Sequence, residues 1–152
     1  MAFSNFNPWF PSDRHYAVKE SATPLTTGTL WTYTGGIRIV HIFGIVKTVL
    51  TAGATTVKLS VKPDAQTAVD ICATKDINGF AAGSLLEITG TAAGAMVGTT
   101  AVAVRAPATQ VSPITTICVT SGIITVTYGA ATVGAITWYL VWEPLTIAAT
   151  VT

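Results

Sequence analysis

Charge is what this chain most lacks: Asp, Glu, Lys and Arg together make 10% of its residues, where an ordinary soluble domain has about 25%. The eight basic and seven acidic side chains leave a net charge of +1 and form no basic cluster, so the electrostatic footprint of a nucleic-acid-binding protein is missing. Half of the residues are hydrophobic, yet apolar runs are short, interrupted every few positions as in Ile37-Arg38-Ile39-Val40-His41. A membrane-spanning helix needs about 20 consecutive apolar residues, so none is expected. A β-barrel would call for an export signal and evenly spaced aromatic girdles, and neither pattern is present. The opening Met1-Ala2-Phe3-Ser4-Asn5-Phe6 has no basic start and no apolar core of signal type, which predicts folding in the cytoplasm of the cell that makes the chain.

Reactive residues are equally scarce. Cys72 and Cys118 belong to no C-x-x-C pair, which excludes a zinc knuckle or a thioredoxin-like motif. Both sit in alternating apolar segments, where a free Cys behaves as a small buried hydrophobe, and a disulfide between them would require adjacent strands and an oxidising compartment. There is no G-x-S-x-G elbow, phosphate loop or H-E-x-x-H helix. His15 and His41 are the only histidines. His41, inside a strand pattern, reads as a packed residue, and Asp70, Asp76 and Asn78 read as turn formers because their spacing does not match a calcium loop. No catalytic residue, metal ligand or cofactor site is expected, and the chain reads as a non-enzyme.

What the sequence has in abundance is Thr, Val, Ile and Ala in short alternating runs. Candidate strands are 29–33, 36–51, 56–62, 68–73, 84–90, 100–105, 114–120, 122–128 and 135–143, bounded by Gly35-Gly36, Pro63-Asp64, Asn78-Gly79, Ser121-Gly122 and Gly129. Residues 92–98 offer at most one helical turn, weakened by Gly94 and Gly98. Turns about every ten residues predict an all-β, antiparallel sandwich of jelly-roll-like type, one domain over 28–152. With 152 residues, a single core is expected.

Residues 1–27 differ in composition. They hold Pro8, Pro11 and Pro24 and five aromatics with no sustained period, which predicts an extended N-terminal arm, since each proline removes a donor and biases its predecessor away from helix. Disordered tails are poor in aromatics. Phe3, Phe6, Trp9 and Phe10 are therefore expected to pack against something, either the chain's own sandwich or a neighbouring chain, and the neighbour is the contact favoured here.

Period-two alternation assigns faces. Ile136, Trp138, Leu140 and Trp142 share one side of the last long strand, and Thr137, Tyr139 and Val141 the other. In 37–46, Ile37, Ile39, His41, Phe43 and Ile45 oppose Arg38, Val40, Ile42, Gly44 and Val46. Both strands carry apolar bulk on both sides, whereas an isolated sandwich keeps one side polar. A symmetric homo-oligomer, a trimer, is the expected means of covering the second face.

Three stretches carry a resemblance. The run Ala68-Val69-Asp70-Ile71-Cys72-Ala73-Thr74-Lys75-Asp76-Ile77-Asn78-Gly79 with Ala82-Gly83-Ser84-Leu85-Leu86-Glu87-Ile88-Thr89-Gly90 resembles small virion proteins of tailed bacteriophages. So do Gly36-Ile37-Arg38-Ile39-Val40-His41-Ile42-Phe43-Gly44 and the closing segment from Gly134 to Leu145. The resemblance implies a head decoration (cement) protein or related virion structural protein: a β-sandwich, often trimeric, on the outer capsid surface, with the major capsid protein as partner. It brings no catalytic residues and does not cover the arm. A tail or fibre component shares the same features, and a carbohydrate-binding sandwich would need its Trp and Tyr side chains on an exposed face.

Overall fold

The computed structural model describes residues 14–21, 23–51, 55–88, 96–99, 116–118, 120–131 and 133–152. Among the described residues twelve strands form two antiparallel sheets: β1 (His15–Ser21), β2 (Gly28–Thr34), β3 (Ile37–Thr51), β4 (Thr56–Pro63), β5 (Val69–Asp70), β6 (Lys75–Asp76), β7 (Leu85–Glu87), β8 (Val97–Thr99), β9 (Thr116–Cys118), β10 (Gly122–Tyr128), β11 (Val133–Pro144) and β12 (Thr150–Val151). The first sheet runs β1-β11-β3-β7-β8 with β9 also on β3, and the second runs β12-β2-β10-β4-β5 with β6 also on β4. The all-β, two-sheet architecture expected from the turn spacing is the one observed. No helix occurs among the described residues.

The sandwich begins earlier than composition suggests. Residues 15–21, expected within the arm, form β1 and pair along their whole length with β11, from His15 opposite Trp142 to Ser21 opposite Ile136. Leu25 is fully buried as the chain crosses from the first sheet to the second. Residues 1–13, with Phe3, Phe6, Trp9 and Phe10, and residue 22 of the expected arm lie outside the described residues, as do the candidate strand at 100–105 and parts of the candidate strands 84–90 and 114–120 and of the possible helical turn at 92–98. At the end of that turn, Val97–Thr99 is strand.

Inward-facing side chains of both sheets build one core. From the first sheet come Ile37, Ile39, Ile42, Val46, Leu86, Ile136, Trp138, Leu140 and Trp142, and from the second Trp31, Tyr33, Val57, Leu59, Val61, Ile124, Val126 and Tyr128. In β11 the side carrying Ile136, Trp138, Leu140 and Trp142 is the buried one. In β3 the expected face breaks: Ile37 and Ile39 are buried, but so are Ile42, Gly44 and Val46, while His41, Phe43 and Ile45 point outward. The cause is a β-bulge. Val141 pairs with His41 and Trp142 with Ile39, leaving Val40 as an extra residue that shifts the alternation by one.

Trp138 ties the layers together. It is fully buried, sits directly opposite Gly44 in the sheet, and its indole Nε1 donates to the Tyr128 hydroxyl of the other sheet at 3.1 Å. Gly44 makes that position possible, since a Cβ there would lie 2.9 Å from Trp138 Cε3 and Cζ3 and 3.0 Å from Ile136 Cγ2. Burial pushes the Tyr128 hydroxyl pKa up, so it remains a neutral partner.

Gly44→Ala should therefore destabilise the fold by about 1–3 kcal/mol, the usual cost of overpacking a filled core. Trp138→Ala should cost about 3–5 kcal/mol by leaving a cavity. Urea unfolding followed by circular dichroism measures both, and a Gly44→Ala midpoint equal to that of the natural chain would show that the indole has room to move.

Candidate interaction surface

The sheets turn different chemistry outward. On the second sheet, Thr29, Thr32, Thr34 and Thr150 are exposed, and Thr125, Thr127, Thr56, Lys58 and Ser60 extend the same face, with Ile123 its one large apolar member. Neighbouring hydroxyls bond to one another: Thr34 to Thr150 at 2.7 Å and Ser60 to Thr125 at 2.8 Å. Lys58 Nζ donates to Asp70 Oδ2 at 2.9 Å. This is a face made for water.

The outward face of the first sheet is aromatic and aliphatic. Pairing places Tyr16 beside Val141, Val18 beside Tyr139, Tyr139 beside Phe43, and Ile45 beside Leu85. Tyr16 is 74% exposed and Val18 58%, and Tyr139, Val141, Phe43, Ile45 and Leu85 are half-buried. At the centre, the Phe43 and Tyr139 rings stack with centroids 4.8 Å apart and planes 8° from parallel, and His41 tilts against Phe43 at 5.4 Å. His41 Nε2 lies 3.3 Å from the Glu87 carboxylate, which is itself nearly buried. Without the bulge at Val40, Phe43 would point into the core and Gly44 outward; the bulge builds the aromatic centre as well as the space for Trp138.

One end of this face is closed by charge. Arg38 donates through Nε at 2.8 Å and through its terminal nitrogen to Glu143 Oε2, and Arg14 Nε lies 3.4 Å from Glu143 Oε1. The hydrogen bonds from Arg38 are the main reason that the Glu143 carboxyl titrates below its ordinary range. These pairs also tie down Arg14, which immediately precedes β1.

The other residues singled out from the sequence have structural partners. His15 stacks on Trp142, with centroids 4.8 Å apart. Asp76 accepts the Asn78 backbone N–H at 2.9 Å, a turn bond. Cys72 and Cys118 are free and buried, and burial raises both thiol pKa values. Among the described residues no group of three or more His, Cys, Asp or Glu gathers. A cleft of about 190 Å³ lies where β1 and β2 diverge, lined by Lys19, Glu20, Ser21, Thr29 and Leu30 among others. That is small beside the roughly 300–1,000 Å³ of small-molecule sites. No protein-family model, curated protein or solved structure matches this chain.

Composition pointed to a covered second face, but not to its centre. The Phe43–Tyr139 stack depends on a cross-strand register that no local pattern encodes, and Tyr16 and Val18 join it only because β1 belongs to the sheet. The four aromatics expected to make contacts, Phe3, Phe6, Trp9 and Phe10, lie outside the described residues.

The lowered Glu143 pKa predicts the sign of a pH effect. Its contribution is complete above the unfolded value of about 4.3 and is lost as pH falls through the lower folded value. Glu143→Gln should thus lose less stability between pH 5 and pH 3 than the natural chain. The difference should be no more than about 1 kcal/mol, because Arg14 and Arg38 are largely in water. Denaturation midpoints that fall in parallel would refute the assignment.

Proposed function

We propose that this chain is a non-enzymatic virion structural protein that binds the outer capsid surface of a tailed-phage head as a homotrimer and cements it. The observation that carries this reading is the polarity of the sandwich, with hydroxyls and paired charges on one outer face and stacked aromatics and aliphatics on the other. Contiguous exposed apolar surface marks an interaction site. A protein that holds other chains without a bound ligand or energy input depends on such burial, at about 25 cal/mol per Å², repeated over many copies. The partners on this reading are the major capsid protein and further copies of the chain, with Phe3, Phe6, Trp9 and Phe10 as contact residues, and neither nucleic acid nor membrane. The chain is made in the host cytoplasm and ends on the virion surface.

The same reading takes the sandwich as a jelly roll. The chain passes alternately between sheets from β1 to β4 and again from β10 to β12, and the orders β1-β11-β3-β7 and β2-β10-β4-β5 support a reading as two interleaved Greek keys. That architecture is common among viral capsid proteins and also among lectins. A carbohydrate-binding role is less favoured by the stack, since Phe43 and Tyr139 each turn one ring face toward the other and leave only the far faces for a sugar. A tail or fibre component shares every feature named and is the alternative that remains.

Particles carrying the protein should release their genome at a higher temperature than particles lacking it. A bound ligand stabilises by about 2.7 kcal/mol at a hundredfold excess over Kd, and many copies add. Replacing Phe6, Trp9 and Phe10 together by Ser should lower the release temperature while leaving the sheet's circular dichroism unchanged. Identical release curves with and without the protein would remove the cementing role, and labelled protein found on tails rather than heads would move it to the alternative.

A further inference from the structure

We infer that the free edge of the first sheet, strand β1, pairs antiparallel with β1 of a second copy across a two-fold axis at Ala17, so that the first sheets of the two copies become one. The inference rests on the self-associating reading above and goes beyond it by naming a surface and a register. Among the described residues nothing pairs with β1 on the side away from β11. The strand is seven residues long, pairs with β11 without a register shift and contains no proline. Natural sheets usually blunt such an edge with a bulge, a proline or a shorter strand. Tyr16 and Val18, 74% and 58% exposed, lie on this unflanked strand.

The hydrogen-bonding phase of the edge follows from the strands behind it. The Ile42 carbonyl accepts from the Ile88 N–H, and Val46 exchanges bonds with Ser84 and Gly83, so Ile42 and Val46 turn their backbone groups away from β11. Leu140, opposite Ile42, therefore turns its own toward β1, where it meets Ala17. One residue to either side, the N–H and C=O groups of Tyr16 and Val18 point out from the edge. Setting Ala17 opposite Ala17 of the second copy brings Tyr16 opposite Val18 on both sides of the axis, and each such pair exchanges two backbone hydrogen bonds.

The side chains single out a second copy as the partner, because the segment is complementary to its own reverse. In this register Arg14 faces Glu20 at both ends of the contact, and Tyr16 faces Val18 twice between them, all on the outer face. Opposite charges and aromatic pairs with β-branched residues are the cross-strand partners that stabilise a sheet. Arg14 and Glu20 are both exposed, and the guanidinium, which directs Nε at Glu143, has further donors to offer. The neighbouring two-fold register, centred on Val18, sets Tyr16 against Glu20 and leaves Arg14 without an acidic partner. On the inner side Lys19 comes opposite His15, and a lysine at an edge discourages strands that match less well.

A two-fold contact is compatible with a three-fold one. On the capsid reading it ties a copy in one trimer to a copy in the next, and the outer faces that carry Phe43 and Tyr139 continue across the seam. Each contact covers the edge of one strand, so its strength lies in repetition.

Two readouts on the full-length chain test the contact. Arg14→Glu places like charges opposite each other in both end pairs, and so does Glu20→Arg. In sedimentation velocity over a concentration series, either variant should raise the dissociation constant of the contact about tenfold or more with an unchanged circular dichroism spectrum. An equimolar mixture of the two should return it to near the natural value, since both end pairs then join opposite charges again. Ala17→Cys should form an intermolecular disulfide under mild oxidation faster than Val18→Cys, although position 18 is the more exposed, because only position 17 meets its own copy, with Cβ atoms about 4.5–5 Å apart. Cys72 and Cys118 are buried and add no background. A charge variant with the natural dissociation constant, a mixture no tighter than its components, or faster linkage at position 18 overturns the inference and leaves self-association to another surface. A natural chain that stays monomeric throughout the series overturns the inference and the trimer together, while the heat-release comparison still decides the cementing role.

Discussion

The fold depends on one side chain lying flat across its neighbour. Trp138 occupies the centre of β11, covers the space that Gly44 leaves free on β3, and reaches the other sheet through its hydrogen bond to Tyr128. A large aromatic that spans two strands fixes their register, because sliding β3 by one residue would replace Gly44 with Phe43 or Ile45 beneath the indole. The bond to Tyr128 fixes the sheet-to-sheet alignment in the same way and satisfies a donor whose burial would otherwise be costly. The remaining inward residues are aliphatic for the most part and fill the volume that this arrangement defines.

With the core settled, low charge acquires a location. The chain is not uniformly apolar outside; its threonines and its Lys58–Asp70 pair are collected on the second sheet, and its exposed aromatics on the first. Thr is well suited to the wet face, since β-branching favours the strand and the hydroxyl bonds to neighbours or water. The sandwich thus presents a hydroxyl-rich back and an aromatic and aliphatic front from strands of similar composition.

The long strands were legible in the sequence because β-branched residues alternate between clear turn signals, and β2, β3, β4, β10 and β11 lie close to where those signals place them. β1 was not legible: its inward positions are His15, Ala17, Lys19 and Ser21, which bury little, so only pairing with β11 marks it as strand. β5, β6 and β12 have two residues each, too few for any period to register. The buried face of β11 could be read because its bulky residues keep a single phase, whereas Ile37–Val46 is apolar in both phases and hides the place where one gives way to the other. For the candidate surface, Tyr139 and Val141 were recognised as a second apolar side, but Phe43 was grouped with Ile37 and Ile39, which turn inward, and the exposed pair Tyr16 and Val18 was attributed to an arm.

Val40 therefore has an importance out of proportion to its contacts. It is one supernumerary residue upstream of Phe43 and Gly44, and it decides which of the two faces the interior. Were Val40 to take a regular place in the ladder, the rest of β3 would turn over, sending a phenyl ring toward Trp138 and stripping the surface of its stack in the same event. The interior and the aromatic outer face are thus written in one reading frame of side-chain alternation. Lineages descending from this chain can vary the aromatic surface by substitution, but a residue gained or lost between Ile42 and Val46 would shift the alternation and disturb the core as well.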